Sequence, residues 1–239
     1  MRSIAPFSFA LTALVACGGS SAPVASPEPT TPVSVPDDTP KKAATRPSVS
    51  QELGEIDPRA VENTFTRIRS KIVSCHKAGT SRVEYLSGEV KFFLRIGEDG
   101  KARWGFLEHS TLGDRETEKC MLRAMTDSSW PLPRGGDAEV RKEIAFDIGD
   151  ARAPIGWHPD KVVSALPKVR EAAQKCGKFG QLDATMYVVA DGNGGKAEAA
   201  GVAGGGKEGE AAADCVSEVL RTAKWPSPGS WSAKVSFKL

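Results

Sequence analysis

Histidine is scarce in this chain, with three in 239 residues, and no Cys-x-x-Cys pair occurs. Too few imidazoles, and no closely spaced ligand pairs, argue against a zinc site. The missing dithiol motif argues against a thiol oxidoreductase. Neither sign of charge dominates, because 32 basic residues face 30 acidic ones for a net +2. A basic footprint for nucleic acid is therefore lacking. The most apolar stretch, Ile4 to Leu14, is only eleven residues long. That is too short for a permanent membrane span, yet it suits the core of a signal peptide. Aromatics make up only 7% of the chain, but five of them are tryptophans, enough to imply real cores.

The first seventeen residues carry the clearest signal. A short basic start, Met1-Arg2-Ser3, precedes the apolar run, and Leu14-Val15-Ala16-Cys17 follows it. This segment resembles the bacterial lipobox. The resemblance implies a signal peptide over 1–16, removed before Cys17, and a diacylglycerol thioether on the Cys17 sulfur. It also implies acylation of the new amino terminus, giving the two or more chains that stable anchoring needs. An ordinary secretory peptide with an incidental cysteine is the alternative. Gly18, rather than Asp, follows the cysteine, which by resemblance to enteric sorting rules favours the outer membrane. Residues 17–50 then read as a tether. Pro23, Pro27, Pro29, Pro32, Pro36, Pro40 and Pro47 are interspersed with Ser, Thr and Ala, with no apolar period. Such a segment cannot bury enough surface to fold and favours polyproline II, with a reach on the order of 90 Å.

The remaining residues repeat. Lys101-Ala102, Cys120 and Trp130-Pro131-Leu132-Pro133 recur as Lys196-Ala197, Cys215 and Trp225-Pro226-Ser227-Pro228, all shifted by 95. Upstream, a block shifted by 101 maps Pro58, Val61, Phe65, Ile68-Arg69 and Cys75 onto Pro159, Val162, Leu166, Val169-Arg170 and Cys176. Chance does not place these features twice in register, so the chain holds two copies, residues 51–150 and 151–239. In copy one, Asp57-Pro58 predicts a helix start with Asp as N-cap. Val61, Phe65, Ile68, Ile72 and Cys75 share one face of that helix, and Gly79 closes it. Val90, Phe92, Leu94 and Ile96 alternate as a half-buried strand. Gly97-Glu98-Asp99-Gly100 turns into a return strand over Lys101 to His109. Asp114 is placed to cap a second helix with Cys120, Met121, Ala124 and Met125 inward, and Val140 to Ile148 reads as a third strand. The expected fold is α+β: helix, strand, strand, helix, strand, twice, with helices on one face of an antiparallel sheet.

That order, with Gly88-Glu89-Val90-Lys91-Phe92, Asp99-Gly100-Lys101 and Trp130-Pro131, resembles the C-terminal domain of TonB and TolA proteins. With Ser74-Cys75-His76, His109-Ser110-Thr111-Leu112-Gly113 and Glu118-Lys119-Cys120 it is more similar to the C-terminal domain of AgmX/PglI-type gliding-motility proteins. The resemblance covers residues 58–148 well and the second copy less well. Pro167 falls inside the second copy's first helix, and glycines replace Ser-Thr-Leu. It implies protein–protein contact within a periplasm-spanning or motility-type complex, with a sheet edge able to accept a partner strand.

An exported chain meets an oxidising compartment, so the four cysteines after Cys17 suggest disulfides. Four cysteines allow three pairings; the duplication favours Cys75–Cys120 and Cys176–Cys215. Each such loop would restrict the unfolded chain by about 4 kcal/mol in the entropy model. Cys75-His76 is a poor nucleophile–base pair, because neighbours on a helix point about 100° apart. His109 and His158 have no partner visible in the sequence. Gly201 to Gly206 and Lys207 approach a phosphate loop, but Glu208 stands where a hydroxyl should hold magnesium. The expectation is therefore a binding or assembly protein with a membrane anchor and an envelope protein partner. No catalytic residue, cofactor, metal, nucleotide or nucleic acid is expected; a cell-wall or small-ligand binding lipoprotein is the alternative. Copy two has small residues where copy one has large ones, as in Phe65/Leu166, Ile72/Ala173, Val90/Ala184, Phe92/Met186, Ile96/Ala190 and Trp104/Ala199. It is expected to lean more heavily on its disulfide or on copy one.

Overall fold

The computed structural model describes residues 53–239, which fall in one compact unit. The signal peptide, Cys17 and the tether lie outside the described residues. The fold is α+β. Copy one runs α1 (Pro58–Thr80), β1 (Gly88–Ile96), β2 (Ala102–Ser110), α2 (Arg115–Thr126) and β3 (Ala138–Phe146). Copy two runs β4 (Ile155–Trp157), α3 (Leu166–Ala173), β5 (Leu182–Asp191), β6 (Gly194–Gly204), α4 (Gly206–Thr222) and β7 (Ala233–Lys238). Strand order is β2-β1-β3 in the first sheet and β4-β7-β5-β6 in the second. With β4 set aside, the two orders are the same, each hairpin flanked by the last strand of its copy.

Local chemistry explains the elements. Asp57 caps α1 by accepting from the Arg59 backbone N–H at 2.9 Å, and Pro58 supplies the first-turn geometry. Phe65, Ile68, Ile72 and Cys75 are buried on one side of α1, over Val90, Phe92, Leu94 and Ile96 of β1. Gly79 does not end the helix. It lies inside it, buried, where a Cβ would overlap Thr117 and Leu86. The Trp-Pro segments do the same work in both copies. Trp130 Nε1 donates to the Met125 carbonyl at 3.0 Å and Trp225 Nε1 to the Leu220 carbonyl at 2.9 Å. Each indole thereby closes off the helix before it and is itself buried.

The second copy departs where expected and in one further way. Pro167 does not kink a long helix; it opens α3, after a 3-10 turn at Pro159–Val162. Its missing N–H is harmless in a first turn, and the chain breaks just ahead of it. The unexpected element is β4, three residues pairing in parallel with β7, so this sheet is mixed rather than purely antiparallel. Cys120 differs too: it was expected to face inward but is exposed on α2, on the side turned to α1.

The strand registers correct three of the expected pairs: Ile96 faces Ala102 as Val188 faces Ala197, so Val90, Phe92 and Ile96 answer Leu182, Ala184 and Val188, and Ala190 is exposed near the hairpin turn. The differences that remain divide into two groups. Ala184 and Met186 sit fully buried beneath α3 and α4, in a true core. Ala199 points the other way, toward copy one, and Ala199, Ala203 and Tyr187 belong to the same apolar cluster as Phe92 and Leu107. The second sheet is thus covered on both faces, by its own helices and by copy one. Produced alone, residues 151–239 would expose that second face, whereas residues 51–150 keep their helix-covered core. We expect the isolated second copy to melt at the lower temperature in a thermal scan. Equal or reversed melting would show that its small side chains are compensated within the copy.

Candidate functional site at the junction of the two copies

The copies meet around an approximate two-fold relation that the charges reveal. Arg115 at the start of α2 donates to Glu210 of α4 at 2.6 Å, and the two positions are 95 residues apart. Lys119 of α2 pairs with Asp214 of α4, again 95 residues on. These are equivalent positions of the repeat, each touching its own counterpart, as residues beside a two-fold axis must. Two identical copies would set like charges against each other here. Arg facing Glu and Lys facing Asp make the pairing attractive. Arg115 also donates through Nε to Asp214 at 2.7 Å, and its side chain is only 10% exposed. Charge-assisted contacts of this kind are stronger than exposed surface pairs.

Beside this axis, the start of α2 presses on β6. A Cβ at Gly201 would overlap the Glu118 carboxylate, so only glycine lets the two elements approach so closely. Glu118 is fully buried. Its Oε1 accepts from the Ser110 hydroxyl at 2.6 Å and from the Gly113 N–H at 3.2 Å. Its Oε2 has no partner among the described residues. Burial disfavours the charged form and pushes this carboxyl up to about 7. On the same face, Tyr187 exchanges hydrogen bonds with the Ser87 backbone, at 3.2 Å to N and 3.1 Å to O. Lys234 Nζ donates to the Ser87 carbonyl at 2.6 Å, and burial pushes its ammonium down to about 8. Tyr85 donates to Glu198 at 2.6 Å and packs between Tyr187 and Trp231.

The residues singled out in the sequence fall as follows. Cys75–Cys120 and Cys176–Cys215 are disulfides with Cα separations of 5.8 and 5.6 Å; the first joins α1 to α2, and the second joins the 3-10 turn Gln174–Cys176 that follows α3 to α4. His76 is not aimed at Cys75; it stacks on Phe146 and bonds the Leu86 carbonyl at 2.9 Å. His109 has a partner after all, Asp183 of the other copy at 3.2 Å, and His158 meets Asp160 at 3.0 Å. In the glycine-rich segment, Gly201 receives Glu118, Gly205 turns the chain with a φ of 67°, and Lys207 lies 5.1 Å over the Trp104 ring. Its glycines serve a turn and a close approach. Among the described residues no cluster of three or more His, Cys, Asp or Glu could hold a metal. No described helix is long and apolar enough to cross a membrane. Sequence reasoning passed over Arg115, Glu118, Tyr187 and Lys234. Opposite charges at the equivalent positions 115/210 and 119/214 were the one available signal.

Sheet edges complete the geometry. In the first sheet β2 packs against β6 and α4, while the outer edge of β3 carries no partner strand among the described residues. In the second sheet β4 occupies the corresponding edge of β7. Three charged residues of β3 are held within the copy: Arg141 pairs with Glu108 at 2.8 Å and Glu139 at 3.0 Å, and Lys142 with Glu62 at 2.7 Å. Comparison with protein-family models, curated proteins and solved structures finds no match to this chain.

The buried carboxyl gives the junction a pH dependence of definite sign. Glu118 holds its proton more tightly when folded, at about 7 against an ordinary 4.5. Its contribution is therefore complete below about pH 4.5 and is lost as pH rises through 7. Asp183 and Asp214 are held below the usual range by their basic partners, against the effect of burial, and matter only in stronger acid. Lys234 alters the slope only above about pH 8. Between pH 5 and 7.5 the melting temperature should fall, and Glu118→Gln should remove most of that fall. An unchanged slope in the variant would assign the effect elsewhere.

Proposed function

We propose that this chain is an envelope lipoprotein, anchored through Cys17, whose paired repeats serve as a protein–protein interaction module. The assembly it serves is of the motility or transport kind, and it acts by binding rather than by catalysis. The observation that carries this reading is the unpartnered outer edge of β3. An exposed edge offers a row of backbone donors and acceptors that an extended partner segment can pair with. The equivalent edge of copy two already holds β4. Of the edges turned away from the other copy among the described residues, β3 offers nine residues and β4 only three, which suits an arrangement in which copy two supports and copy one binds. The likeness of residues 58–148 to TonB and TolA C-terminal domains points the same way. The lipobox-like Leu14-Val15-Ala16-Cys17 supports the anchor, and Gly18 supports the outer membrane as its destination. The proline-rich tether then sets the reach from the membrane.

Both parts can be tested in one set of strains. A photo-crosslinking residue at Glu143 or Ala145, both exposed on β3, should capture a defined envelope protein. The same residue at Glu98, exposed in the β1–β2 turn, should not. Cys17→Ser should move the protein from membranes to the soluble fraction and reduce that adduct several-fold. A variant that still pellets after a high-salt wash would refute the anchor. Adducts that are absent from β3, or equal at all three positions, would refute the edge.

A further inference from the structure

A groove of about 460 Å³ opens where the end of β2 meets the second sheet. Copy one contributes His109, Ser110 and Thr111; copy two contributes the start of β5, the end of β7, α3 and Pro159. Its volume lies within the range of small-molecule sites, roughly 300–1,000 Å³. Neither copy forms it alone, so it is a product of the docking described above.

The groove's floor is apolar, built from Pro159, Leu166, Ala184 and Phe237. Around its mouth stand the cations Arg170 and Lys238, both exposed, and the imidazole of His109. One acid, Asp183, is present, and it is already engaged by Lys238 and by His109 at 3.2 Å. Arg170 gives one hydrogen bond to the Lys238 carbonyl at 3.2 Å and has no carboxylate partner among the described residues. Its guanidinium therefore retains donors directed at the mouth, in the fork geometry that suits a carboxylate. The hydroxyls of Thr111 and Ser236 add neutral polar groups at the same rim.

We propose that this groove binds a small anionic amphiphile, an acyl chain ending in a carboxylate. The chain would lie on the floor formed by Leu166 and Phe237, with the carboxylate at Arg170. Apolar walls with a few convergent polar groups are the usual design of such a site. The surplus of positive charge at the mouth selects an anion over a cation, because a cationic head would meet Arg170 while the one acid there, Asp183, is already engaged by Lys238 and His109. The site is separate from the β3 edge, and neither depends on the other.

Decanoate, kept below its micelle concentration, is the probe. Equilibrium dialysis would use the full chain carrying Cys17→Ser, so that no acyl chain of its own competes. One saturable site per chain is expected, competed by decan-1-ol weakly and by decyltrimethylammonium not at all. Arg170→Glu, at an exposed position, should weaken decanoate binding about tenfold, in line with loss of a charge-assisted contact. Ser236→Trp, also exposed, should block the groove and abolish binding, with the melting temperature reporting that each variant is folded. Non-saturable uptake, equal competition by the cationic amphiphile, or full binding by both folded variants would overturn the proposal.

Discussion

Close contact between the start of α2 and the face of β6 is the constraint on which the rest of the molecule depends. Ala199, Gly201 and Ala203 put only small side chains on that face, Glu118 comes down on it at Gly201, and beside it the Ser87 backbone meets Tyr187 of β5. If Gly201 carried a side chain, Glu118 would have to move, and with it the first turn of α2. The charges of α2 and α4 would then no longer meet. Copy one shows the same strand meeting the other copy's helix with large side chains, Lys207 of α4 lying over Trp104. There Trp104, Phe106 and Phe93 stack on one another on the outer face of the sheet, with ring centroids 4.8–5.9 Å apart. One repeat meets its twin with a face of small residues and the other with an aromatic face.

The disulfides act at a different level. Each joins the second helix of its copy to the first helix or the turn that follows it, so each holds a helical layer together and leaves the junction between copies to noncovalent forces. Those forces are mixed. Burial of Tyr187, Ala199 and Ala203 supplies an apolar part, for which roughly 25 cal/mol per Å² is the usual scale. Arg115, Glu210, Lys119 and Asp214 supply direction more than strength, since partly exposed pairs contribute little each. Their value lies in specificity: they favour copy one against copy two and disfavour either copy against itself.

Much of the fold was legible because period and punctuation agree. The alternation of Val90, Phe92, Leu94 and Ile96 marks a strand, Asp57-Pro58 marks a helix start, and the twice-repeated cysteines mark the pairing seen. Pro167 marked a break correctly. β4 was not legible, because three residues give no period to detect. Nor was the junction, because Ala199 read as a thinned core and Gly201 as part of a phosphate-loop-like segment when the sequence is viewed one copy at a time. Only the structure shows that these residues face outward, onto another surface. His109 was set aside for want of a partner, which lay 74 residues away on the other copy. Glu118 entered only as part of a motif; its contact with Gly201, 83 residues on, is seen in the structure alone.

The central claim is that α2 and α4 meet as equivalent elements held in orientation by opposite charges. A double-mutant cycle on Lys119 and Asp214 tests it most directly, using the full chain and thermal or denaturant unfolding. Lys119→Asp and Asp214→Lys should each destabilise, the first setting two carboxylates together and the second placing Arg115, Lys119 and a new lysine side by side. Combined, they should recover part of the loss, because the exchanged pair meets again while the new lysine still lies against Arg115, a coupling on the order of 0.5–3 kcal/mol. Additive losses, with no recovery in the double variant, would contradict the pairing and with it the two-fold arrangement of the copies.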